Sequence, residues 1–497
     1  MMAKRKSSMR MWGYLPAASF QRAPLLEPTR VPKYGLQEEV GSVCSGGCGF
    51  ALAITESGKV IMWGSTNDLG QSHISREGQQ EGLEPYLLDL HERIVHAAGG
   101  WAHSVAVTDK GDVCPWGWSA CAPAASPTTE QRARLIPTSN CQSDGHSTPL
   151  YASHERKFEC STQSESQDAL KPGAFRDHLS SGNKIGATTT HKRTSSKGPF
   201  RFDKIADSLK QSVLDMAEVP SDENTTAMDD NVISRPWLVS LAAGVSITSV
   251  AAGGRHTLAL SDTGQVWGWG YGEEGQLGLG CRVGLMPTPQ LIQCLEAPLL
   301  NSNGSSNQKE SSNVSVAILG NRVTRIACGG RHSAVLTDSG AVMSFGWGLY
   351  GQCGQGSTED QLSPVHVSAL GGIKVAGLAA GLWHTAFVTD EGDVYANGGN
   401  QFGQLGTLGE QAEMLPTLVD APLLENECAV SVSCGARHTA ILTDKGKLFC
   451  WGWNKYGQLG TGDLVDRDTP VEVPLDNAVA SSLACGWWHT LALITED

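Results

Sequence analysis

The chain has 497 residues, enough for about three average domains, yet 58 of them are glycine and only 18% are charged. Glycine well above the usual ~7%, among short runs of Ala, Val and Leu, suits many short strands joined by tight turns and excludes a long helical bundle. A formal charge of −14 disfavours binding of phosphate backbones and favours basic partners.

At the N-terminus, Met1–Arg10 carries charge but no apolar stretch behind it, which excludes a secretory signal. No apolar run approaches the ~18–20 residues of a membrane span. The tip Lys4-Arg5-Lys6 is a basic cluster of the kind used for nuclear import. Shortly after it, Met9-Arg-Met-Trp12-Gly13-Tyr14 matches the aromatic-Gly part of Val/Leu-x-x-aromatic-Gly, half of a unit that recurs along the chain.

The other half is small-Gly-x-x-His-Ser/Thr, then apolar residues, then Thr-Asp-x-Gly. A degenerate copy, GGCGFALAITESG, comes first and puts Gly49 where the histidine belongs. Full copies follow around His103, His256, His332, His384, His438 and His489. Apolar residues after each histidine predict a short strand, Thr-Asp-x-Gly a hairpin turn, and the aromatic-Gly half a returning strand. Those returning halves end at Trp63-Gly64, Trp116-Gly117, Trp269-Gly270, Phe345-Gly346, Asn397-Gly398 and Trp451-Gly452. Four run on into Gly-Gln-Leu-Gly or a close variant, at Gln276, Gln352, Gln404 and Gln458. Prolines at 287, 364, 416 and 470 then predict a loop before the next repeat.

The last four histidines are 52, 54 and 51 residues apart, and about fifty hairpin-rich residues make one four-stranded propeller blade. Seven first halves predict seven blades, but the last lacks a second half because the chain stops at Asp497. The orphan Trp12-Gly13 supplies it. The fold expected is therefore an all-β, seven-bladed β-propeller closed by its N-terminal strand beside Trp488 and His489, which leaves no sheet edge exposed at the join. Trp12, Trp63, Trp116, Trp269 and Trp451 are read as blade packing.

The period breaks twice. Ser119 to Arg235 contains neither half-motif and is rich in Ser, Thr, Gln, Asp, Lys and Pro, so it reads as a long, mostly disordered insertion leaving blade two. It holds a basic run at Lys192–Lys197 and a helical spacing near Phe202–Met216. A shorter Asn/Ser/Gly loop lies near Asn301–Ser315. The expected organisation is a basic tip at 1–8, propeller at 9–118, insertion at 119–236 and propeller at 237–497.

The candidate chemical residues read as structural. Each repeated histidine comes from a different blade without a second ligand at metal spacing, so a backbone or neighbouring-blade hydrogen bond is expected rather than a metal. The aspartates 262, 338, 390 and 444 share one turn position and read as hairpin caps. Cys328, Cys434 and Cys485 share one place before a glycine and read as small buried residues. No catalytic site, cofactor site or phosphate loop is expected; GEEGQLG around Gly275 is not set between a strand and a helix.

These seven copies resemble the regulator-of-chromosome-condensation repeat family over nearly all of 9–118 and 237–497. The resemblance implies a seven-bladed ring with a split blade. It also implies functions such as guanine-nucleotide exchange on a small GTPase, UV-B reception, or chromatin association in plants, including cold-responsive gene control. No compact hairpin wedge of an exchange factor is identifiable in the insertion. The receptors carry Gly-Trp-Arg-His-Thr in three consecutive blades. Here the tryptophan position reads Trp101, Gly254, Gly330, Leu382, Ala436 and Trp487, and Arg255, Arg331 and Arg437 keep the arginine alone, which disfavours light sensing. The function expected is a non-enzymatic interaction scaffold in the nucleus (alternatively the cytoplasm), with histones or a small GTPase as partner and no nucleic acid or membrane bound by the ring.

Overall fold

Each Thr-Asp-x-Gly stretch closes a hairpin, and the hairpins assemble into seven four-stranded antiparallel sheets. The computed structural model describes most of residues 6–15, 23–32, 38–64, 85–118, 232–293 and 322–496. All of these belong to one unit formed by 1–136 and 222–497; the remainder of the insertion and the loop near 301–315 lie outside the described residues.

Blade six shows the pattern. Its inner strand Ala429–Cys434 leads to His438–Thr443, then Leu448–Gly452, then the outer strand Arg467–Glu472, with neighbours hydrogen-bonded in that order. The strand beginning at the histidine is buried at all six positions in blades two to six, without inside–outside alternation. It is sandwiched between flanking blades, so both of its faces are interior.

The glycine after each aromatic has a backbone only glycine adopts cheaply. φ is +98° at Gly13, +106° at Gly452 and +122° at Gly64. A Cβ at Gly452 would also lie 2.5 Å from the Arg437 carbonyl oxygen. The returning strand can thus press against the start of its partner and turn outward at the same residue.

The prolines are placed differently from the sequence expectation. Pro287, Pro364, Pro416 and Pro470 lie within outer strands, not in loops. An outermost strand has one unpaired edge, so a residue without an N–H costs no ladder bond there.

Ring closure follows the sequence prediction and uses more of the N-terminus than it assigned. Lys6–Gly13 pairs antiparallel with His489–Glu496 from Lys6↔Glu496 to Gly13↔His489, and Leu25–Arg30 adds the outer strand. The strand therefore starts three residues before Met9 and takes in Lys6, because Ile494–Glu496 offer it partners. Trp12 is fully buried, and the ring lies 2.8 Å from where a Cβ on Gly460 would stand. Gly406 meets Trp451 in the same way one blade earlier, at 2.7 Å. In blade two the chain leaves after Trp118 and re-enters as the outer strand Val232–Ile233, five residues ahead of the expected boundary.

Candidate functional site

The repeated histidines are fully buried and form the seams between blades. Nε2 of His256 is 2.9 Å from the Ser333 hydroxyl of the next blade. His103 meets Thr257, His332 meets Thr385 and His384 meets Thr439 at 2.9 Å, and His438 meets Thr490 at 3.0 Å. In each case the hydroxyl follows directly after the next histidine. Four of these hydroxyls donate back to a glutamine carbonyl of the preceding blade: Ser333 to Gln276, Thr385 to Gln352, Thr439 to Gln404 and Thr490 to Gln458, at 2.8–2.9 Å. A hydroxyl that spends its proton on a carbonyl must accept from histidine. Nε2–H is therefore the donor and Nδ1 the bare nitrogen in those four blades.

Each imidazole also lies over the glycine three residues before it. A Cβ at Gly329 would stand 2.2 Å from Cε1 of His332, and one at Gly435 2.0 Å from that of His438. This explains the Gly-x-x-His spacing. Burial lowers the imidazoles to about 4 in His103 and His332 and about 3 in His256, His384, His438 and His489, so all are neutral at pH 7.

Blade one interrupts the relay on both sides. Gly49 and Phe50 replace histidine and hydroxyl, so His489 finds no acceptor and both its ring nitrogens are unpartnered among the described residues. Ser104, lacking a histidine behind it, is likewise buried with an unpartnered hydroxyl. The Phe50 ring fills the vacated space; a Cβ on Gly47 would lie 2.0 Å from it and one on Gly99 2.9 Å.

Because the relay puts every histidine at the same end of its strand, the ring has two chemically distinct faces. On the histidine face, Arg437 sits among aromatic rings, 5.0 Å from Trp383, 4.7 Å from Phe402, 5.1 Å from Trp453 and 5.9 Å from Trp488. Arg255 stacks 5.0 Å from Trp101, and Arg331 pairs with Glu274 at 2.8 Å beside Trp347. On the opposite face the hairpin turns expose Glu56, Asp109, Asp262, Asp338, Asp390 and Asp444. Each turn's backbone N–H binds the chain just before the inner strand, as in Asp444 to Cys428 O at 2.9 Å. Among the carboxylates, Asp338 accepts from the Arg322 N–H at 3.2 Å and Asp390 pairs with Lys374 at 3.2 Å. Between the faces runs a channel of about 440 Å³ lined by the inner strands, with Cys328, Cys434 and Cys485 on its wall. Burial pushes the thiols of Cys328 and Cys485 up to about 12, so they stay protonated and are poor nucleophiles.

The remaining predicted residues are dispersed around the ring. Trp63, Trp116, Trp269 and Trp451 are buried, one per blade, on third strands. Lys4 and Arg5 lie outside the described residues, and Lys6 begins the closing strand. Among the described residues no three His, Cys, Asp or Glu side chains gather as a metal-holding group, and no helix is long and apolar enough to cross a membrane. Sequence reasoning missed the hydroxyl after each histidine and the glutamine carbonyl behind it. The constant Ser/Thr in the motif was the available signal.

A family model described as the RCC1-like domain matches residues 221–497, more than half of the chain. The chain belongs to the RCC1-like domain family. The ultraviolet-B receptor UVR8 of Arabidopsis thaliana is 36% identical over 259 residues, 52% of this chain and 53% of the receptor, so the chain spans about half the length of that relative. Among solved structures, human WBSCR16 covers 99% of this chain and 100% of its own, at 20% identity and a TM-score of 0.63. Prp20p of Saccharomyces cerevisiae, described with its binding properties to Gsp1p and histones, covers 100% of this chain and 93% of its own, at 17% identity and a TM-score of 0.62. Likenesses at that identity establish the propeller fold.

Proposed function

We propose that this RCC1-like ring is a non-enzymatic protein-interaction scaffold, nuclear and chromatin-associated, whose turn face receives a basic partner of the histone type. The observation that carries this reading is the ring of six exposed acidic turn residues on one face, in a chain of formal charge −14. Like charges held at fixed spacing on a rigid frame raise the local concentration of a basic chain and steer its approach. The fold neighbour described with histones lends support, and the resemblance to plant relatives extends the proposal to stress-responsive, cold-linked gene control.

Capture of core histones by the full chain at physiological salt tests the proposal. Binding that falls when Asp262, Asp338, Asp390 and Asp444 are changed together to Asn supports it; no binding by the unaltered chain removes the histone version. A second reading, exchange on a small GTPase, draws on the same neighbour's description with Gsp1p. Release of labelled GDP from a panel of small GTPases decides it: acceleration supports exchange, and an unchanged rate across the panel rejects it.

A further inference from the structure

In blades three to six the loop after the returning strand follows a Gly-x-x-Gly-x-Gly pattern, and in three of them its last glycine anchors the loop to the outer strand of the next blade. Gly280, Gly356 and Gly462 hold φ of +81°, +75° and +79°, and their N–H groups donate to Leu362, Met414 and Leu26 at 2.9 Å. In blade five this position is Leu408. It keeps the left-handed backbone, at φ +61°, and donates to the Asp468 carbonyl at 3.3 Å. A leucine there carries a steric penalty that glycine escapes, and strain of this kind marks functional positions.

The side chain gains nothing inside the fold in return. Leu408 is 68% exposed, more than any other large hydrophobic described. It touches the outer strand of blade six three residues from Val465, which is 58% exposed beside the half-exposed Leu464. Two costs, backbone strain and a solvated leucine, thus fall on one residue, whose backbone is bonded to the strand that follows the exposed Leu464 and Val465. The chain around these residues is acidic. Glu410, Asp466 and Asp468 are exposed, and none of them has an ion-pair partner among the described residues. Asp463 alone is neutralised, by Arg467 at 2.6 Å.

We propose that Leu408, with Leu464 and Val465, anchors a docking surface on the rim of blades five and six for a basic, leucine-bearing peptide segment of a partner protein. Aliphatic side chains of that segment cover the patch, while its lysines or arginines meet the unpaired carboxylates. The proposal rests on the reading of the ring as a protein-interaction scaffold, but not on the turn face, since this rim lies on the histidine side.

The probe is a fluorescein-labelled, lysine-rich peptide carrying two leucines one helical turn apart, with a control in which serine replaces both. Each is titrated into the full chain and into Leu408→Gly and Val465→Ser. The leucine peptide should bind the unaltered chain about tenfold or more tighter than either variant, and the serine control should lose the same preference. Leu408→Gly restores the residue of the other three blades, so its melting temperature should rise as its affinity falls. Equal affinity across the three proteins, equal binding of both peptides, or a lowered melting temperature in Leu408→Gly overturns the proposal. Histone capture by Leu408→Gly separates the two readings: loss of peptide binding with histone capture intact supports this surface, and turn-face substitutions that abolish histone capture while sparing the peptide leave it standing.

Discussion

Nε2 of His489 faces the backbone of Gly46 across the seam between blades seven and one, 2.7 Å from where a Cβ on that glycine would stand. One blade earlier, His438 gives the same proton to Thr490 at 3.0 Å. The difference lies at residue 50, where phenylalanine replaces the hydroxyl. The ring is therefore chemically uneven. Seams from blade two round to blade seven carry a buried polar bond, and the two flanking blade one rely on apolar contact and backbone bonds such as Ile94 N to Gly58 O at 2.8 Å.

That unevenness predicts opposite outcomes for one substitution at equivalent positions. Ser333→Ala strands the His256 N–H and the Gln276 carbonyl, which it now joins, and should cost about 1–3 kcal/mol. Ser104→Ala removes a hydroxyl with no partner among the described residues and so should cost clearly less than Ser333→Ala. Denaturant melts of the two variants give the comparison, and equal destabilisation would show that the relay contributes nothing.

Closure by the N-terminus is the second expectation. Removing residues 1–15 exposes the edge of His489–Glu496 and empties the site of Trp12, so the melting temperature should fall sharply. Trp12→Ala alone should cost roughly 3–5 kcal/mol, as for other large core truncations. An unchanged melting temperature after the deletion would mean that Lys6–Gly13 does not hold the ring shut.

The glycines before the histidines give a third. A methyl group at Gly329 would stand 2.2 Å from its own imidazole and 2.5 Å from the Gly381 carbonyl oxygen, both fixed by the seam. Gly377, on an inner strand, has nothing within 4 Å of the equivalent point. Gly329→Ala should destabilise strongly and Gly377→Ala should be tolerated. Similar melting curves for the two would contradict the packing described.

The sequence made the blade count, the closing strand and the buried tryptophans legible because each is written in local order: a turn, an aromatic and a glycine at fixed offsets. Pairing across seams was not, because His256 and Ser333 are 77 residues apart and each side of the bond belongs to a different repeat. A hint was present all the same, since Gly49 and Phe50 depart from the motif together. Prolines were misplaced because a loop and an edge strand tolerate them for the same reason, a missing N–H that nothing needs. Leu408 escaped notice because the repeat was read only as far as Gly-Gln-Leu-Gly, two residues short of the glycine it replaces, and its φ and exposure are properties of the folded chain.

The pH dependence follows from the histidines themselves. Burial holds their folded values at about 3 to 4, against about 6.5 in an unfolded chain. Below pH 6.5 the unfolded chain binds protons that the folded ring refuses, so stability rises with pH in that range. Their contribution is complete above pH 6.5 and is lost progressively as pH falls towards 3–4. The loss approaches ~1.4 kcal/mol per histidine for each pH unit well below 6.5, and six seam residues act together. Thermal melts from pH 7.5 to 5 should therefore show a falling midpoint, with most of the decline below pH 6.5. His438→Gln, with its amide donor in place of the imidazole, should flatten the slope by about one sixth; a midpoint that stays level down to pH 5 would show that the imidazoles are not held neutral by the fold.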